Sequence, residues 1–251
     1  MSKTVLITGA GTGFGRGAAV EIARRGHLVI AATYSQVEAD ELAAAHPELQ
    51  TVKMDVTNPA DVAPAGQWGV DVLISNAGVG QSGPLRSIPM DRLRRVFDVN
   101  VFGTVAIVQT VANSMVERGS GRILLVSSVA GVLAGPGTGP YAMTKHALQA
   151  FGGALRAELA PAGVDVALIN PGPFATGFND RMAGEPGDWF DPSTARPEEL
   201  AFMARVTQRI TIGQLDPADV VKVYADLVDA PTTEPVNFIP SDIIKRIKAK
   251  H

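Results

Sequence analysis

The 251-residue sequence has no cysteine, which removes disulfides, thiolate metal sites and a cysteine nucleophile together. It has no excess of basic charge either. Lysine and arginine number 22 against 25 aspartates and glutamates, so neither nucleic acid nor an anionic membrane surface is an expected partner. No apolar run reaches the ~20 residues of a membrane-spanning helix, and no membrane association is expected. The opening MSKTVLITGAG moves straight into a strand-like run, which Gly and Thr interrupt too early for a secretion signal. A cytoplasmic protein is the expectation. The four histidines, His27, His46, His146 and His251, are not spaced as metal ligands, so the expected metal site is none. A G-x-S-x-G hydrolase elbow is missing as well. No repeat, low-complexity stretch or linker divides the chain. One domain over residues 1–251 is expected.

What is present is a regular alternation. The apolar share of 46% is ample for a large core. TVLIT (4–8) reads as a buried strand, followed by GAGTGFGRG and then a helical AAVEIARRG. Strand, glycine loop and helix together open a dinucleotide-binding βαβ unit. Gly9, Gly13 and Gly15 let the backbone turn sharply and approach a pyrophosphate at the helix N-terminus. Further strands are read at 27–33, 51–56, 69–78, 122–128, 164–172 and 234–240, with helical periodicity between them. Such alternation specifies an α/β fold with a doubly wound parallel sheet. Asp55, at the end of the third strand, either accepts from an adenine amino group or caps the next short helix. Residues 90–118 read as one helix with Asn100 in its middle, where a buried amide must bend the helix around a water or else lie exposed. Residues from about 174 to 196 are too long for a plain connector and carry Phe174, Phe178, Trp189 and Phe190. They read as a substrate lid. A polar tail, DIIKRIKAKH, closes the chain.

One pair of residues carries chemistry. Tyr141 and Lys145, four positions apart at the start of a helix, share one face. A phenol of pKa ~10 is no base at neutral pH unless a fixed cation lowers it. Lys145 is placed to do that. A serine at the end of the preceding strand can hydrogen-bond the same substrate oxygen, which makes a proton-transfer site for an alcohol or a carbonyl.

With these pieces in order, the sequence resembles the short-chain dehydrogenase/reductase family in its single-domain branch. TGAGTGFG fits its TGxxxGxG loop, SNAG its NNAG turn, and Asn100 its helix asparagine. Ser128 stands thirteen residues before Tyr141, YAMTK fits YxxxK, and NPGPFAT fits the PG motif. The resemblance implies a Rossmann-like fold and an NAD(P)-dependent oxidoreductase interconverting an alcohol and a ketone or aldehyde. It implies Tyr141 as acid/base, Lys145 as the cation and ribose-binding group, and Ser128 as the residue orienting the substrate oxygen. Asn100 would hold a relay water. Cofactor contacts are implied at Gly9, Thr12, Gly13, Phe14, Gly15, Thr33, Tyr34, Asp55, Val56, Asn76, Ala77, Gly78, Tyr141, Lys145, Pro171, Gly172, Phe174 and Thr176. Thr33 stands where an acidic residue would select NAD, and Tyr34 where family members often carry Arg. Hydroxyls of Thr33, Tyr34 and Ser35, with Arg16, offer mainly neutral hydrogen bonds to a 2′-phosphate, so the cofactor is expected to be NADP or NAD with a slight preference for NADP. The aromatic lid suits a hydrophobic or aromatic small-molecule substrate. Helices 90–118 and 140–160 are the faces through which family members pair, which implies a homodimer or homotetramer. The rival readings are a nucleotide-sensing regulator without chemistry and a sugar-nucleotide epimerase. The first usually loses the Tyr or Lys, and the second spaces its glycines differently.

Overall fold

Val5, Leu6 and Ile7 are all fully buried on strand β1 (Thr4–Thr8), although neighbours in a strand point to opposite faces. Burial on both faces requires a layer of helices on each side of the sheet. A computed structural model of the chain, which describes residues 1–248, has that arrangement. The strands are β1, β2 (Leu28–Thr33), β3 (Gln50–Lys53), β4 (Val72–Ser75), β5 (Gly121–Val126), β6 (Val164–Pro171) and β7 (Val236–Ile239). They form one all-parallel sheet in the order β3-β2-β1-β4-β5-β6-β7. The order reverses between β1 and β4, where Ile7 registers with Ala31 on one side and Ile74 on the other. In a doubly wound sheet a ligand binds beyond the strand ends at such a reversal.

Helices α1 (Gly13–Arg24), α2 (Gln36–Ala45) and α9 (Ala218–Asp229) cover the face that carries Val5 and Ile7. The short α3 (Pro59–Val62), with α5 (Thr104–Arg118) and α6 (Gly139–Leu159), covers the face that carries Leu6. The remaining helices are α4 (Met90–Phe97), α7 (Phe178–Gly184), α8 (Pro197–Thr211) and α10 (Ile243–Lys248).

Four expectations change. The helix expected over residues 90–118 is continuous but contains a wide π turn, Asp98–Gly103, between α4 and α5. Asn100 sits in that turn fully buried, partnered by protein rather than exposed. This helix also has an apolar window of mean hydropathy 1.4, long enough to cross a membrane, against the expectation that no stretch was. Ile107, Val108, Val111 and Met115 of this helix are fully buried against the sheet, while Phe102 and Val116 are exposed. Strand β3 stops at Lys53, so Asp55 lies past it. The cap of α3 is Asn58, whose Oδ1 accepts from Ala60 N at 3.1 Å, and Asp55 instead receives Thr57 N and Oγ1 at 2.9 and 2.7 Å. The polar tail contains a helix, and its Ile243 is buried. Its last three residues, His251 among them, lie outside the described residues.

Two glycines give a test of the packing. A Cβ on Gly15 would stand 2.3 Å from the Gly9 carbonyl oxygen, which is backbone and cannot swing aside. Gly153, exposed on α6, has nothing within 4 Å. Gly15→Ala should destabilise by about 1–3 kcal/mol through overpacking. Gly153→Ala should stabilise by roughly 0.5–1 kcal/mol through helix propensity. Urea unfolding of the two variants beside the wild type checks both signs.

Candidate active site

The carboxyl ends of β1 and β4 are joined by one side chain. Asn76 Nδ2 donates to the carbonyls of Thr8 and Gly9 at 3.0 and 3.2 Å, and Asn76 Oδ1 accepts from Tyr224 Oη at 3.3 Å. Thr8 Oγ1 receives Asn76 N and Ala77 N, both at 3.0 Å. Gly9 has φ +67°, and a Cβ there would meet Ala77 Cα at 2.8 Å, so the loop takes its shape only with glycine. Helix α1 begins directly after. Its N-cap Thr12 makes no side-chain cap and its first turn holds no acidic residue. The backbone N–H groups at this end therefore keep their capacity for an anion.

At the other side of the reversal, β5 ends at Val126 and leads to Ser127 and Ser128. Ser128 is extended, and its Oγ accepts from Ala130 N at 3.1 Å. Pro140 in the first turn of α6 starts the helix that carries Tyr141 and Lys145. Lys145 Nζ donates to Val126 O at 2.9 Å and lies 5.6 Å from the Tyr141 ring centroid. Gln149, one turn on, donates to Ser127 Oγ at 2.9 Å and to Asn170 Oδ1 at 2.7 Å, which ties α6 to the ends of β5 and β6. Asn100 closes the group from behind. Its Oδ1 accepts from Val79 N at 2.8 Å, and its Nδ2 donates to Val79 O at 2.9 Å and Thr144 Oγ1 at 3.1 Å.

Burial sets the proton affinities. It pushes the Tyr141 phenol well above its ordinary range, with the Ser128 hydroxyl pulling the other way. Burial also brings the Lys145 ammonium down to about 8. The lowered phenol expected from the Tyr141–Lys145 spacing is therefore corrected. The two groups do share a face, but loss of water outweighs the help a neighbour gives, and the ammonium is aimed at the Val126 carbonyl.

A continuous cleft of about 1530 Å³ runs along this edge of the sheet. Of the residues expected at the site, it is lined by Gly9, Thr12, Gly13, Phe14, Tyr34, Asp55, Val56, Asn76, Ala77, Gly78, Ser128, Tyr141, Lys145, Pro171, Gly172, Phe174 and Thr176. Three stand back from it. Gly15 lies under the Gly9 carbonyl, and Asn100 is behind Gly78. Thr33 is fully buried, with its Oγ1 donating to Ser35 O at 2.9 Å, so its hydroxyl has no access to a ligand. Arg16 faces a separate groove with Gly17, Val20 and His46. Gly11, Glu38, Val79, Asn179 and Arg181 line the cleft without having been expected there. Asn179 and Arg181 fall within the expected lid, and Glu38 left the S-x-x-E spacing from Ser35 that marks a capping box.

The family model "short chain dehydrogenase" matches residues 3–186. This chain belongs to the short-chain dehydrogenase family. The uncharacterized oxidoreductase YusZ of Bacillus subtilis (strain 168) is 37% identical over 185 residues, 69% of this chain and 66% of its own length. The chain thus spans just under two thirds of that relative. Among solved structures, a short-chain dehydrogenase/reductase from Burkholderia phymatum in complex with NAD is 28% identical, with a TM-score of 0.81 over 98% of this chain and 92% of its own. A short-chain dehydrogenase from Sphingobium yanoikuyae in complex with NADPH is 26% identical, with a TM-score of 0.77 over 99% and 91%. The family match ends inside the expected lid, so α8 and α9 lie beyond it.

The Lys145 shift has a consequence for stability in this short-chain dehydrogenase. Its folded pKa of about 8 lies below the ordinary 10.5, so between those values the unfolded chain binds more protons. Stability should rise with pH across that window, by on the order of 2–3 kcal/mol, and fall back as pH drops through the folded value. Lys145→Met should remove this rise. Melting temperatures of wild type and variant from pH 7.5 to 10 test it, and a constant gap between the two curves would contradict it.

Proposed function

We propose that the chain is an NAD(P)-dependent oxidoreductase that interconverts a hydrophobic ketone or aldehyde and its alcohol. The observation that carries the reading is that Ser128, Tyr141 and Lys145 line one cleft with the glycine loop. The cleft fits a dinucleotide on the chain's own terms. The loop keeps its close turn only with Gly9 and Gly15, where a Cβ would strike Ala77 Cα or the Gly9 carbonyl. The uncapped end of α1 supplies N–H groups for a pyrophosphate. Lys145 and the turns at Asn76–Gly78 and Pro171–Gly172 would flank the nicotinamide riboside. Bound there, the cofactor supplies or accepts the hydride. The protein handles the proton. Tyr141, held protonated by burial, donates to the substrate carbonyl oxygen while Ser128 fixes that oxygen from a second side. The Asn100 amide commits both N–H donors to Val79 O and Thr144 Oγ1 and accepts from Val79 N, which leaves a second acceptor site on Oδ1 for a relay water.

The substrate class rests on what surrounds Tyr141. Met182, Val206 and Ile210 form a buried cluster with it, flanked by Phe178 and Phe202 from the lid and α8. The Tyr141 and Phe178 rings lie 5.6 Å apart. An apolar substrate entering here replaces apolar contacts with its own, whereas a small anion must lose its hydration among these side chains. We also propose assembly as a homodimer or homotetramer through the long helices, where Phe102 and Met143 are exposed.

Tyr141→Phe removes one hydroxyl and keeps the ring in its cluster. Turnover should fall by 10²-fold or more, with cofactor affinity within about twofold. Retention of a tenth of wild-type kcat would remove Tyr141 from the role and favour the nucleotide-sensing alternative. Across a panel of carbonyls read by nicotinamide absorbance, kcat/KM for bulky neutral compounds should exceed that for small charged ones by at least ~10-fold. The reverse order would sink the hydrophobic assignment.

A further inference from the structure

The acidic side chain nearest the glycine loop is carried by α2 and not by the end of β2. Thr33 holds that strand position and is buried. Glu38, in the first turn of α2, reaches back instead. Its Oε2 accepts from Tyr34 N at 3.0 Å and Ser35 N at 3.2 Å, while Ser35 Oγ accepts from Glu38 N at 3.2 Å. This reciprocal cap pins the carboxylate against the glycine loop. A Cβ on Gly11 would lie 3.0 Å from Glu38 Cδ and Oε2 and 3.3 Å from Oε1. Gly11, Tyr34 and Glu38 all line the cleft, and among the described residues Oε1 accepts no hydrogen bond.

We infer that Glu38 makes the enzyme prefer the unphosphorylated dinucleotide, by accepting from an adenosine ribose hydroxyl and opposing a 2′-phosphate. The inference rests on the dinucleotide reading above. With the pyrophosphate at the start of α1, the adenosine ribose falls beside the β1–β2 end of the cleft. There Glu38 is a fixed acceptor, suited to a hydroxyl. A 2′-phosphate carries nearly two negative charges at neutral pH and meets a carboxylate with no cation to offset it. Arg16 faces the other groove, and Lys53 is paired with Asp61. The arginines that do line the cleft, Arg94, Arg95 and Arg181, belong to α4 and α7 rather than to the β2 end. This reverses the slight preference for NADP expected from the hydroxyls of Thr33, Tyr34 and Ser35.

The test is calorimetric binding of NAD and NADP to the full chain, wild type and Glu38→Gln, without substrate. The wild type should bind NAD more tightly by on the order of 10–100-fold, the range of a charge-assisted hydrogen bond. Glu38→Gln keeps an oxygen for the helix cap and loses the charge, so its melting temperature should stay within a few degrees. Its NAD/NADP ratio should collapse to within about threefold, mainly through tighter NADP binding. Equal or tighter binding of NADP by the wild type overturns the inference, and that outcome needs no variant. An unchanged ratio in a folded Glu38→Gln also overturns it. A wild type that binds neither dinucleotide brings down the oxidoreductase reading itself, and this inference with it.

Discussion

Two strands that are distant in sequence meet at Asn76, whose amide donates to the carbonyls at the end of β1 and the start of the glycine loop. Thr8 and Gly9 present their carbonyl oxygens to that amide just where β1 gives way to the glycine loop. An unpaired buried carbonyl there costs about 1–3 kcal/mol. One side chain supplies the donors for both, and Tyr224 from α9 steadies its oxygen. The closeness of Gly15 to Gly9, the start of α1 and the open floor of the cleft all follow from that bond pattern. Gly9, Gly15 and Asn76 act as one unit.

On the other side of the reversal the chain does something less comfortable. It buries a phenol and an ammonium together and, among the described residues, gives the ammonium one hydrogen bond, to Val126 O. Low dielectric penalises charge on either group. The burial holds Tyr141 in the form that can give a proton and leaves Lys145 close to neutrality in the mildly alkaline range. Gln149, which belongs to none of the motifs, ties α6 to the ends of two strands through Ser127 and Asn170.

The sheet was legible because parallel strands covered on both faces are near-continuous apolar runs, and TVLIT, RILLV and VDVALI are such runs apart from Thr4, Thr8, Arg122 and Asp165. The motif residues were legible because glycine, Tyr-x-x-x-Lys and Asn-Pro-Gly have few other reasons to occur in that order. What sequence spacing could not convey was the accommodation of Asn100. A π turn has no periodicity of its own, and a buried amide is satisfied by whichever loop folds against it, here Val79. Proton affinities were misjudged for a related reason. Spacing says which groups are neighbours, while desolvation depends on everything that covers them, including α7 and α8 far along the chain. Glu38 escaped notice because its cap with Ser35 is ordinary, and only the fold brings Gly11 beneath it.

The short helix at the end of the chain is not a loose appendage. Ile243 is buried, and its side chain lies where a Cβ on Gly172 would stand 3.1 Å away. The turn at Pro171–Gly172, which lines the cleft, therefore leans on a residue only a few positions from the last described one. Together with the Gly172 N–H bond to Ile239 O at 2.8 Å, that contact makes the carboxyl-terminal helix part of the wall of the cleft.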